Sequence, residues 1–193
     1  IILEMNRNFN FPKNFLWGAS TSAHQIEGNN INSDWWQWEQ KGEVKEPSGI
    51  ACDSYNRFKE DFLLAKKLNH NSHRLSVEWA RIEPKEGRFD ESATKHYREV
   101  LKTFKKLDLK TFVTLHHFTN PLWFSKRGGW ENPKSPEIFT RYASYCAKEF
   151  GNLVDYWITI NEPNVYGSET YLKGTWPPQK KNPLVFLRAY LNK

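Results

Sequence analysis

At 193 residues the chain is long enough for one domain with a sizeable core, and a content of 38% hydrophobic and 16% aromatic residues excludes a disordered segment. The net charge of +6 comes from scattered lysine pairs, and neither a long basic run nor zinc-finger spacing points to a nucleic-acid partner. No stretch approaches the roughly 18 consecutive apolar residues of a membrane span.

In chain order, four strand-like runs are predicted, each followed by a helical pattern. The first is FLWGAS (15–20), trailed by a long Trp- and Gly-bearing insertion, HQIEGNNINSDWWQWEQKGEVKEPSG. An amphipathic helix then places Tyr55, Phe58, Phe62, Leu63 and Ala65 near one face. HRLSV (73–77) is the second strand, followed by a helix with Tyr97, Leu101, Phe104 and Leu107 inward. TFVTLHH (111–117) is the third, trailed by the insertion FTNPLWFSKRGGWENPKS. A helix opening with Ser135 as N-cap and Pro136 at its first position leads to the fourth strand, YWITI (156–160), which reads as buried. The last segment, NPLVFLRAYLNK, starts like one more helix. Alternation of apolar strands with helices predicts an α/β fold with a parallel sheet.

Strand ends are where a parallel barrel places its chemistry. Here they deliver His24 and Gln25, then Arg74 and Glu78, then His116 and His117, and finally Asn161 and Glu162, where Pro163 stops the ladder. Adjacent strand residues face opposite sides, so only one of His116 and His117 can point at the rim, which argues against a metal site. Glu78 reads as a structural ion-pair partner. Cys52 and Cys146 read as reduced, packed thiols, which places the protein in the cytoplasm. The opening IILEMNRNFNF lacks a leader-peptide core, and a start at Ile1 rather than Met leads us to expect that the ends are not natural ones.

Several motifs, in this order, resemble the N-terminal half of the glycoside hydrolase family 1 (β-glucosidase) enzymes. They are FPKNFLWGASTSAHQIEG (11–28), HRLSVEWARIEP, TLHHFTNPLWF, TINEPN and GTWPP, which together run almost the whole length. The resemblance implies the first four βα units of a (β/α)8 TIM barrel, incomplete as given, with residues 1–193 forming the N-terminal half of one barrel domain. It further implies that Glu162 is the general acid/base and that Asn161 binds the sugar 2-hydroxyl. Gln25 and His117 would bind glycone hydroxyls, and Arg74 would hold the nucleophile carboxylate in its charged form. Phe118 departs from the family, where Trp commonly follows the binding His.

The implied substrate is a β-linked glycoside, with no cofactor, no metal, no nucleic acid and no membrane. A retaining mechanism needs two carboxyl groups about 5–5.5 Å apart, and repulsion with partial burial would keep Glu162 protonated near neutrality. The family nucleophile lies in a T-E-N-G-like motif that this chain does not contain; Glu131-Asn132 is no substitute. The expectation is therefore a fragment that is inactive alone, completed by a C-terminal half in the same full-length chain or in a separate one. Open edges at strands one and four would make it adhesive. A non-catalytic sugar-binding or complementing half-barrel, and a metal-dependent hydrolase using His117 and Glu162, remain as alternatives.

Overall fold

The computed structural model describes residues 10–193. Most of the stretch read for a leader, residues 1–9, lies outside them. In chain order the elements are β1 (Gly18–Ser20), α1 (Ala23–Ile26), α2 (Asp34–Glu39), α3 (Ser54–Lys67), β2 (Ser72–Ser76), α4 (Trp79–Ile82) and α5 (Glu91–Lys106). After them come β3 (Lys110–His116), α6 (Leu122–Lys126), a 3-10 turn (Gly129–Glu131), α7 (Ser135–Phe150), a second 3-10 turn (Gly151–Leu153), β4 (Tyr156–Ile160) and α8 (Pro163–Gly167). A π-helical segment (Ser168–Lys173) and α9 (Pro183–Leu191) complete the chain.

The four strands form one parallel sheet in sequential order, β1-β2-β3-β4, as βα connectivity requires. One face carries the core. Phe58 and Phe62 of α3, Leu101 and Phe104 of α5, and Ile138, Tyr142, Cys146 and Phe150 of α7 bury against Leu75 and Val113. Pleating then sends the alternate residues to the opposite face, where Ser20, Arg74, Phe112 and Tyr156 are register partners in one row. The Phe112 and Tyr156 rings stack there, 4.5 Å apart. Among the described residues, β1 and β4 each have an edge without a strand partner.

Those edges correct one sequence expectation. YWITI forms the fourth strand, but it is not buried: Tyr156 is 48% and Trp157 36% exposed. The reason is positional, because β4 is flanked only by β3 and the following α9 packs on α8 and on the Gly129–Glu131 turn instead. Phe11, Phe15 and Trp17, exposed before β1, cluster on one another with centroids 4.6–4.7 Å apart.

Smaller corrections follow the same logic. Leu63 is exposed, one position off the buried stripe of Phe58, Phe62 and Ala65. Helix α7 is capped at Lys134 rather than Ser135, whose hydroxyl instead donates back to the Asn132 carbonyl, one residue being the usual uncertainty of a helix end. Cys146 is buried, but Cys52 is exposed in the loop before α3. No helix among the described residues is long and apolar enough to cross a membrane.

Candidate active site

The sequence residues meet most closely where β2 and β4 approach one rim. Arg74 is the third of five residues in β2, not at its end as the motif reading placed it, and its length makes up the difference. Its Nη1 donates to Asn161 Oδ1 at 3.0 Å, bridging the strands across β3. Asn161 is buried, and its backbone N–H donates to the His116 carbonyl, carrying the β3–β4 ladder to its last rung.

Glu162 follows at once, in the left-handed region at φ 44°. Only a minority of non-glycine residues adopt that conformation, at a cost of roughly 1–3 kcal/mol, and such residues cluster at functional sites. It turns the chain from β4 into α8, where Pro163 sits at the first position. The Glu162 side chain is exposed and makes no hydrogen bond among the described residues. The expected partial burial is therefore not in place, since β4 is an edge strand among the described residues.

His117 lies just past β3 and is partly buried. Burial, followed by the positive charges of Arg74 and Lys193, lowers its pKa to about 4, so it is neutral at pH 7 and available as a hydrogen-bonding group. Its Nδ1 is buried with no hydrogen-bond partner among the described residues, as is Arg74 Nε. Phe118 beside it is also left-handed, at φ 71°, an outlier for a bulky residue. Two consecutive strand ends thus carry a residue in the left-handed region, Phe118 after β3 and Glu162 after β4. Gln25 stands apart, exposed on α1 at the β1 end, where its Oε1 accepts from Ser22 Oγ at 2.6 Å. The Thr21 N–H and hydroxyl, both donating to the Arg74 carbonyl, tie that end of β1 to β2.

Three other strand-end residues are structural. His24 turns into the insertion, with Nε2 2.9 Å from Glu39 and Nδ1 3.3 Å from Asn30. Glu78 is in no ion pair among the described residues; its buried carboxylate caps α4 at the Ala80 N–H and accepts from Thr119 Oγ1 at 2.8 Å, because it falls at the N-cap. His116 is buried against Trp130, Phe139 and Tyr166, which leaves His117 as the rim histidine.

Sequence reasoning missed the polar hub beneath the rim. Asn120 donates from Nδ2 to Asp34 (2.8 Å) and to Tyr166 (3.1 Å), and its Oδ1 accepts from His116 Nε2 and Trp130 Nε1, both at 3.0 Å. Since an indole nitrogen can only donate, Trp130 fixes which way this amide points. Asp34 accepts also from Ser125 Oγ and the Trp35 and Asn120 backbone N–H groups; burial still raises its pKa to about 6. In the sequence, an Asn before Pro and an Asp after Ser read only as a turn and a helix start.

Residues 7–190 match the family model for Glycosyl hydrolase family 1. Beta-glucosidase 47 of Arabidopsis thaliana is 38% identical over 92% of this chain, and Beta-glucosidase A of Thermotoga maritima is 34% identical over 94%. The chain covers 35% and 43% of those two proteins. The solved β-glycosidase from Pyrococcus horikoshii superposes with a TM-score of 0.91 at 39% identity, over 94% of this chain and 43% of that one. The chain therefore spans less than half the length of these relatives, and its sheet corresponds to the first four βα units of their (β/α)8 barrel.

Proposed function

The chain belongs to glycosyl hydrolase family 1, and on that premise we propose that it carries the proton-donating side of a retaining, β-glucosidase-like active site. The observation that carries the reading is the Arg74–Asn161 hydrogen bond beside the strained, outward-facing Glu162. They bring a guanidinium and an amide into contact, with an exposed carboxyl group on the next residue of the chain.

In the proposed reaction Glu162, protonated, gives its proton to the glycosidic oxygen as the C–O bond breaks, positive charge develops on the ring and the nucleophile carboxylate of the C-terminal half bonds to the anomeric carbon. Asn161 holds the 2-hydroxyl, a contact that strengthens in the transition state. His117, neutral, and Gln25 orient the glycone, and Arg74 keeps a facing nucleophile carboxylate ionised. In the second step Glu162, now ionised, removes a proton from the water that frees the sugar. The chain encodes no T-E-N-G-like nucleophile, so residues 1–193 form the N-terminal half of the barrel domain, completed by a C-terminal half in the same or another chain. We also place the protein in the cytoplasm, a reading that its two unbridged cysteines support.

The test is hydrolysis of p-nitrophenyl β-D-glucopyranoside by the chain alone and after mixing with a C-terminal half-barrel that contains T-E-N-G. The expected result is turnover only in the mixture, with a loss of about a thousandfold or more for Glu162→Gln. Sustained turnover by the chain alone, or a fully active Glu162→Gln mixture, overturns the proposal.

A further inference from the structure

A separate concavity lies against the polar hub of Asp34, Asn120 and Tyr166. It is a cavity of about 360 Å³ bounded by α2, the segment from Asn120 to Glu131, and the 177–180 loop. None of Gln25, Arg74, His117, Asn161 or Glu162 lines it. Its size falls in the range of small-molecule pockets.

The lining has a particular chemistry. Trp38, Tyr166 and Tyr171 provide aromatic surface, and Gln37, Glu43 and Gln179 provide amide and carboxylate groups. Two of its charges pair with each other and one is saturated by hydrogen bonds, while Lys41 and Glu43, of opposite sign, are in no salt bridge among the described residues. Glu131 pairs with Lys180 at 2.7 Å, and both Asp34 oxygens are taken by hydrogen bonds from Trp35, Asn120 and Ser125. Lys41 and Glu43 offset each other, so the lining does not select an ion of either sign. One donor is left over: the indole Nε1–H of Trp38 is buried with no acceptor among the described residues. A buried donor without an acceptor is costly, and a ligand hydroxyl would satisfy it.

We propose that this cavity is a second, non-catalytic binding site for a neutral polyol of sugar type. The C–H face of a pyranose lies on the aromatic surface, its hydroxyls exchange hydrogen bonds with Gln37, Gln179 and Glu43, and one hydroxyl oxygen accepts from Trp38 Nε1. The assignment does not depend on the reading of Glu162.

The test titrates the full chain, purified as it occurs, with D-glucose and with methyl β-D-glucopyranoside, read by calorimetry and by tryptophan fluorescence. Four proteins are compared: the parent, Trp38→Leu, Gln37→Ala and Asn161→Ala, with near-UV circular dichroism confirming that each is folded. The proposal expects saturable binding that Trp38→Leu and Gln37→Ala weaken by about tenfold or more and that Asn161→Ala leaves within about twofold. Trp38→Phe, which keeps the ring and removes the donor, is expected to fall between the parent and Trp38→Leu. Binding lost in Asn161→Ala, or unchanged in the two cavity variants, overturns the assignment. So does the absence of saturable binding to the folded parent.

Discussion

Replacing Asn120 with Ala tests the idea that one buried amide holds the β3 rim in place. The side chain makes four hydrogen bonds, to Asp34, Tyr166, His116 and Trp130, from a nearly fully buried position. Removing it takes a donor from the Asp34 carboxylate, worth about 1.5–3 kcal/mol, and orphans the Trp130 and His116 ring N–H groups at about 1 kcal/mol or more each. The expected loss is about 4 kcal/mol, a large part of the 5–15 kcal/mol typical of a domain. In urea unfolding followed by tryptophan fluorescence, an m-value of about 2 kcal/mol/M converts this to a midpoint lowered by about 2 M. Asn120→Asp gives a sharper signature. A carboxylate still accepts from Trp130 and His116 but meets Asp34 oxygen-to-oxygen, where the amide had donated at 2.8 Å. One of the two must then hold a proton, so this variant should lose further stability as pH rises from 5 to 7. A midpoint shift below about 0.5 M for Asn120→Ala, or a pH-independent Asn120→Asp, refutes the reasoning.

Burial lowers the pKa values of His73, His96 and His117 from 6.5 to about 4. The unfolded chain takes up those protons first, so their contribution is full above about pH 6.5 and is lost as pH falls toward 4, by about 3 kcal/mol for His73 and by less for the more exposed, solvent-screened His96 and His117. Buried Asp34 and Glu27, raised to about 6 and about 7, act in the opposite sense, with stability full below about pH 4 and lost as pH rises through those values. The histidines outnumber them, so urea midpoints should fall between pH 7 and 4. His73→Phe, whose ring fits between Phe62 and Phe104, should remove only its own part of the histidine-driven acid loss, which His96, His116 and His117 retain. Gly28→Ala places a Cβ 2.1 Å from the Ile50 carbonyl oxygen at φ +79°, beside the Arg81–Gly28 hydrogen bond that fixes the end of α1. It should cost more than about 2 kcal/mol and lower the melting temperature by roughly 5 °C or more in a calorimetric scan.

The parts of the site that were legible in the sequence are those tied to strand ends. Asn161 and Glu162 could be placed because they follow a strand-like run and precede Pro163, which stops it, and the pair His116 and His117 because it closes the third such run. Arg74 was misplaced by two residues because pattern locates a strand better than it locates the reach of a long side chain. His24 and Glu78 looked like rim groups for the same reason, yet their partners, Glu39 and Thr119, come from separate segments of the chain. The hub of Asp34, Asn120 and Tyr166 left no periodic trace at all, since it joins residues 46 and 86 positions apart.

Local alternation of apolar strands with amphipathic helices determined the parallel four-unit architecture, because side-chain period and right-handed crossover are properties of short segments. Which face of β4 meets solvent, which histidine is packed and which is presented, and how Arg74 reaches Asn161 were decided only by tertiary structure. Those outcomes depend on neighbours distant in the chain, and burial and hydrogen-bond partnership are set by the assembled surroundings of a residue.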